Sequence, residues 1–282
     1  MKEKIVVSFS GGKTSAYMSY MLKRNYSHKY DFVFIFANTG QECEETLVFV
    51  DKCDKEFCLN LVWVEAVVNP QHGKGITHRV VDFITASREG EPFEAHIAKS
   101  GIPNANKPQC SDRLKAFPIE HYKKIHGLKG VRHCIGIRKD EERRKSAWGV
   151  KNYNLVYPLC DWFETDKQDV NDWWEEQNFT LELEEHQGNC KTCWKKSDKK
   201  LWLLALTEPE KFEFMAKMEK KYADVKPNDN GVPRVFFRRN RSTEDIFREC
   251  ADMDSLRLRH MIGYAPDEDS GCSESCEAYA HS

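Results

Sequence analysis

The chain has 282 residues, 31% of them charged, and a net charge of −2, so overall charge gives no reason to expect nucleic acid and any such case must rest on local patches. Aromatics at 12%, including seven tryptophans, fit a packed globule and not a disordered chain. There is no run of about 18 apolar residues, and "MKEKIVVSFSGG" enters a strand-like run without the apolar region and cleavage site of a signal peptide, so the expected compartment is cytoplasmic.

Residues 5–9 read as a buried strand. Residues 14–24 read as a helix, with Tyr17, Met18, Met21 and Leu22 at helical spacing. "DFVFIFANTG" (31–40) is a second strand ending in a polar turn. Residues 42–57 fit an amphipathic helix with Leu47, Val48, Val50 and Phe57 on one broad face, and "LVWVEAVV" (61–68) is a third strand. That alternation predicts an α/β fold, a parallel sheet flanked by helices. Residues 69–108 look like an insertion, with helices expected near 78–87 and 92–100. Residues 110–126 are predicted helical, kinked or restarted at Pro118. "VRHCIGI" (131–137) reads as a fourth strand. The remainder is mostly helical: 165–177, capped by Thr165 or Asp166, then 198–206, 208–222 and 242–250, with a loop at 226–233. From Pro266 the chain is polar and expected to be mobile. No internal repeat is evident. The division read from this is a nucleotide-binding α/β domain over 1–165 and a helical, cysteine-bearing region over 166–282 packed on it.

"SFSGGKTS" has the chemistry of an anion cradle. Gly11 and Gly12 let a ligand approach the backbone amides. The helix that follows presents unpaired N–H groups and a positive dipole end. Ser10, Thr14 and Ser15 add hydroxyls, and Lys13 adds a charge. The common nucleoside-triphosphate motif G-x-x-x-x-G-K-[ST] does not fit, because Val7 stands where its first glycine belongs.

"SGGKTS" resembles the PP-loop signature of the ATP pyrophosphatase superfamily. "FANTGQECEETLVFV", "IPNANKPQCSDRLKAFPIEHY", "GIRKDEERR" and "YPLCDW" follow in the order of its phosphoadenosine phosphosulfate reductase-like branch. The resemblance spans residues 5–200 and fades after about residue 222. It implies an adenine nucleotide alpha hydrolase-like, Rossmann-like fold and cleavage of ATP between the α and β phosphates, with Mg²⁺. It also implies roles for particular residues. Lys13 and the amides around Gly11 and Gly12 would hold the β and γ phosphates, aided by Ser10, Thr14 and Ser15. Phe36 and Ala37 would bind adenine through backbone groups, and Asn38, Thr39 and Gly40 would line the ribose. Ser8 and Gly136 join the nucleotide-binding set. Lys13, Arg138 and Arg143 would be catalytic, the arginines facing the reacting phosphate with their planar forks. A solvated helix face is the other reading of Arg143 and Arg144.

Eleven cysteines in a reducing compartment point to thiols or metal ligands before disulfides. Cys43, Cys53, Cys58, Cys134 and Cys250 read as packing residues. Cys190-x-x-Cys193 can present two sulfurs to one metal. With Cys110 far upstream it resembles the cluster pattern of iron–sulfur adenylyl-sulfate reductases, although Gln109 replaces one cysteine of that pattern. The resemblance implies a [4Fe-4S] cluster on Cys110, Cys190, Cys193 and a fourth ligand, one of Cys160, Cys272 or Cys276. Structural Zn²⁺ and redox-active thiols are the alternatives. Lys195 and Lys196 would favour a negatively charged centre.

Three functions follow. The first is an adenylyl-transferring enzyme releasing pyrophosphate, in sulfur transfer. The second is a phosphoadenosine or adenosine phosphosulfate reductase, for which Cys272 and Cys276 would lie on the attacking tail. The third is a non-catalytic nucleotide-binding partner in a larger assembly. Retention of Lys13 and Ser15 favours the first. A nucleic-acid acceptor, a sulfur-donor protein and a homodimer are the partner classes left open. Basic clusters near 138–146, 195–200 and 236–242, with Phe236 and Phe237 for stacking, are the candidate nucleic-acid surface. Trp173 and Trp174 read as core.

Overall fold

The computed structural model describes residues 2–184, 186–188, 190–228, 231–263 and 278–279. The first three strands are β1 (Glu3–Phe9), β2 (Tyr30–Asn38) and β3 (Val62–Val68), linked by α1 (Lys13–Tyr26) and α2 (Glu44–Phe57). They pair in parallel, Phe9 opposite Phe36 and Phe36 opposite Trp63. β1 is central, and its Ile5, Val6 and Val7 are fully buried, which explains why it reads as an unbroken apolar run. β4 (Ile76–Val81) adds antiparallel to β3 at one edge. α3 (Glu91–Ser100) and α4 (Phe117–Ile125) precede β5 (His133–Cys134), which pairs in parallel with β1 on its other side. α5 (Ala147–Tyr153) leads to β6 (Leu155–Val156), giving a six-stranded sheet in the order β4-β3-β2-β1-β5-β6.

Alternate side chains point to opposite faces. Ile5, Val7 and Phe9 pack with Met18 and Leu22 of α1, Leu47 and Val50 of α2, and Trp174 of α7 (Lys167–Glu175). Val6, Ile35 and Val64 pack beneath Ile119 and Tyr122 of α4. α6 (Pro158–Asp161) precedes α7, and α8 (Asp198–Thr207), α9 (Glu213–Tyr222), α10 (Thr243–Cys250) and α11 (Ser255–Gly263) follow. Leu201, Phe212, Met215 and Ile246 of this later part share a third apolar cluster with Ala66 of β3 and Phe93 of α3. Asp166 caps α7 in a reciprocal capping box with Asp169, and Ser242 does the same for α10 with Asp245.

Several expectations are corrected. The helix expected near 78–87 is the edge strand β4 followed by turns; its residues are β-branched but largely half-exposed, so periodicity was a weak guide. The strand expected over 131–137 pairs only at His133 and Cys134. The helix over 110–126 begins as a π-helical turn, Asp112–Ala116, and restarts as α4 with Pro118 in its first turn. β6, α5, α6 and α11 carry too little pattern to be foreseen. Cys58 is exposed in a left-handed cap of α2, where packing was expected, while Cys43, Cys53, Cys134 and Cys250 are buried. The end of the chain is not loose throughout: Ala278 and Tyr279 are buried on the α4 face, and the Tyr279 hydroxyl donates to Glu120 Oε1 at 2.6 Å. Cys272 and Cys276 lie outside the described residues.

Candidate nucleotide site and cysteine pocket

Successive crossovers carry the chain from β1 to one side of the sheet, through β2 and β3, and then to the other side at β5. The carboxyl ends of β1 and β5 therefore flank a switch point, where open α/β sheets bind their ligands. The Ser10–Ser15 loop leaves β1 there, and Gly136 and Arg138 follow β5.

Gly11 has φ +87°, and a Cβ on it would come within 2.8 Å of Thr46 and 3.3 Å of the Phe36 ring, so only glycine lets the loop pass over β2. Gly12 caps α1 without a side-chain bond. Ser15 Oγ accepts from the Ser10 amide at 3.0 Å and from the Ser10 hydroxyl at 2.9 Å, and donates to the Gly12 carbonyl at 3.0 Å. In this state the two serines brace the loop against itself. Lys13 is half-buried in the first turn of α1, and no carboxylate pairs with it among the described residues. Its carbonyl accepts from Trp174 Nε1 at 3.0 Å, which pins the loop to α7.

On the facing side, a Cβ on Gly136 would lie 3.3 Å from Ser15 Cα, so the β5 exit rests directly on the loop. Arg138 is buried and donates through Nη1 to Thr14 Oγ1 at 3.1 Å. Its fork is held by Asp140 at 3.1 and 3.2 Å, with Glu141 at 3.5 Å. Arg143 is exposed on the 3₁₀ turn Lys139–Arg144. Ser8 Oγ lies 2.8 Å from His133 Nε2; complete burial holds that imidazole well below its ordinary pKa, so it is neutral.

Phe36 and Ala37 lie in the β2–β3 pairing, but β1 ends opposite Phe36, so the β1 side of Ala37 opens toward Ser10. Asn38 Nδ2 donates to Glu65 Oε1 at 2.6 Å and to the Ser87 carbonyl at 2.9 Å, and Asn38 Oδ1 accepts from the Gly40 amide at 3.2 Å. Glu65, fully buried, is matched by Arg79. Gly40 has φ +78°, and a Cβ on it would meet Gly90 Cα at 2.9 Å.

Two small cavities adjoin at Lys115. Ser8, Ser10, Ala37, Lys115 and Ala278 line the first. Thr39, Gln41, Lys115, Cys110, Cys190 and Cys193 line the second. Cys110 and the Cys190–Cys193 turn, remote from it in sequence, thus line one pocket beside the nucleotide turn. Among the described residues, no three His, Cys, Asp or Glu side chains are grouped as a metal ion requires. Cys160 is elsewhere: its Sγ donates to the Ile137 and Arg138 carbonyls at 3.2 and 3.1 Å, and burial pushes its pKa up to about 11. It is a protonated packing residue and not a ligand to this pocket. The sequence motifs contain Gln41, Glu42 and Lys115 without giving any of them a role, and Trp174 reads there as core.

The model of the phosphoadenosine phosphosulfate reductase domain matches residues 4–182. The chain belongs to the phosphoadenosine phosphosulfate reductase domain family. As a member it is an enzyme of the PP-loop, sulfonucleotide reductase-like type. The match includes the loop, the Asn38 turn, Cys110 and Arg138, and stops short of Cys190 and Cys193. An uncharacterised nin region protein, ORF290, of Escherichia phage lambda is 31% identical over 97% of this chain and 94% of its own length. The uncharacterised protein MJ0973 of Methanocaldococcus jannaschii is 27% identical over 57% of this chain and 34% of its own. A crystal structure of phosphoadenylyl-sulfate reductase from Candida auris, in complex with phosphate, aligns at 16% identity and a TM-score of 0.38, covering 61% of this chain and 71% of that one.

Among the described residues no helix is long and apolar enough to cross a membrane. The candidate nucleic-acid surface is corrected. Phe236 and Phe237 are buried in the third cluster and cannot stack on a base. Lys195, Lys196 and Lys200 are buried too, and Arg241 is paired with Asp198 and Glu249. Trp174 is buried as core, with Trp173 half-buried against it.

Proposed function

We propose that this chain binds ATP across the carboxyl ends of β1, β2 and β5 and transfers its adenylyl group to an acceptor oxygen. That oxygen bonds to the α-phosphorus. The bond to the bridging oxygen breaks with its electron pair on pyrophosphate, and the acceptor's proton passes to solvent. In sulfur transfer, hydrosulfide-level sulfur then replaces the adenylated oxygen, which leaves with AMP. Positioning and charge neutralisation supply most of the catalysis in such reactions.

The observation that carries the reading is Lys13: a cation at the amino end of α1, with no carboxylate partner among the described residues, next in the chain to Thr14, to which Arg138 donates. A sulfonucleotide has no β and γ phosphates for such a cation to hold. Arg138 would exchange the two oxygens of Asp140 for two of phosphate, which have the same forked geometry. Asp140 and Glu141 offer the oxygen ligands that Mg²⁺ takes, and when bound that ion would neutralise the leaving pyrophosphate.

Cys110, Cys190 and Cys193 would hold an iron–sulfur cluster, which when bound would supply sulfur or electrons beside the nucleotide. Three cysteine sulfurs lining one pocket are the donors an iron–sulfur cluster takes, and Zn²⁺ on the same sulfurs is the alternative. The same pocket keeps the reductase as the second reading.

The test is incubation with Mg²⁺ and ATP labelled at the α-phosphate, and separately with phosphoadenosine phosphosulfate and a thiol reductant. Labelled AMP or an adenylated acceptor, with pyrophosphate released, is expected. Intact ATP together with sulfite from the sulfonucleotide would replace this reading with the reductase.

A further inference from the structure

Glu42 sits where the two sites meet. Its side chain is almost wholly buried, which is costly for a carboxylate unless its oxygens are satisfied. Oε2 accepts from the Thr39 amide at 2.9 Å and from the Thr39 hydroxyl at 2.8 Å. Oε1 faces Lys115 Nζ at 3.8 Å and Cys190 Sγ at 4.0 Å. The main chains join at the same place: Glu42 forms an isolated antiparallel bridge with Cys190, and the Lys191 amide donates to the Gln41 carbonyl at 2.9 Å. One oxygen of a single buried carboxylate therefore grips the turn expected to line the ribose, while the other faces the cysteine turn.

We propose that Glu42 is a positioning residue that couples the two turns, so that nucleotide bound against Asn38–Gly40 orders the Cys190–Cys193 turn. This rests on the reading that nucleotide binds at that turn. A ligand that fixes Thr39 fixes the hydrogen-bonded Glu42 carboxylate, and through it the main-chain bridge to Cys190. The coupling is reciprocal: whatever orders the cysteine turn, including a centre held by its sulfurs, tightens nucleotide binding by the same factor. Glu42→Gln keeps a carbonyl oxygen for Thr39 but removes the charge that faces Lys115 and Cys190.

The experiment is hydrogen–deuterium exchange read by mass spectrometry on the full chain as purified, with and without saturating non-hydrolysable ATP analogue. In the wild type, exchange is expected to slow at residues 10–15 and 38–42, and by at least about fivefold at 190–193. In Glu42→Gln the first two segments still slow and 190–193 changes less than about twofold. Equal slowing at 190–193 in both proteins would mean that direct contact with nucleotide, or the main-chain bridge without the carboxylate, carries the effect, and would overturn the proposal, as would no slowing there in the wild type. Failure of the wild type to slow even at 10–15 would instead remove the nucleotide reading, and this inference with it. Should Glu42→Gln not fold, Glu42→Asp, which shortens the reach to Cys190, is expected to show the same loss at 190–193.

Discussion

Lys13 is a cation with no internal task for its side chain among the described residues, since only its backbone carbonyl is engaged, by Trp174. Lys13→Met should leave the melting temperature within about a degree or two, because surface changes that break no partnership cost little. ATP affinity should fall roughly 10- to 100-fold, the loss of one charge-assisted contact; equilibrium binding and thermal denaturation on the same samples check both halves. His96 is the opposite kind of residue. It is fully buried with neither ring nitrogen satisfied, and burial, reinforced by Arg113, Lys226 and Lys99, pushes its pKa down to about 4. The unfolded chain holds the extra proton between that value and the ordinary one of 6.5, so this stability is full above 6.5 and lost as pH falls toward 4. The loss amounts to roughly 3 kcal/mol at most. Melting temperature should therefore drop between pH 7 and pH 5, and His96→Leu should flatten that drop; a variant with the wild-type slope would show that His96 is not its source.

At the scale of elements, α7 holds the phosphate loop from outside the sheet. Trp174→Phe keeps a ring against Phe49 and Phe179 but removes the indole donor to the Lys13 carbonyl. A loss of about 1 kcal/mol in stability is expected. Nucleotide affinity should weaken severalfold, and unchanged affinity would show that the loop needs no support from α7. What could be read from the sequence follows the same physics. β1, β2 and β3 are buried on both faces and announce themselves as apolar runs. β4 is an edge strand with mixed residues, and its sequence pattern points to a helix. β5 and β6 have two residues each and owe their existence to the pairing His133–Leu155 and Cys134–Val156, which no local pattern encodes. The phosphate loop was legible because its glycines, hydroxyls and lysine are contiguous. Glu42 was not, because its meaning comes from Cys190, brought to it by the fold. Cys160, one of three candidates for a fourth ligand, shows the converse: its neighbours in the sequence give no sign that backbone carbonyls engage its thiol.

At the scale of the molecule, the later helices do not stand apart from the sheet. Trp174 of α7 joins the cluster under β1, and α8, α9 and α10 share an apolar cluster with β3 and α3. The cysteine turn that closes the pocket is delivered by this later part, beyond the residues the family model matches, onto a nucleotide turn that lies within them. The central claim is that the switch point grips a triphosphate through its outer phosphates. It is tested most directly by equilibrium binding of ATP and of AMP, in the presence of Mg²⁺, to the wild type and to Lys13→Met. The account predicts that ATP binds the wild type at least about tenfold tighter than AMP, and that the difference collapses in the variant. Equal affinity for the two nucleotides in the wild type, or a preference for ATP that survives the loss of Lys13, would contradict it.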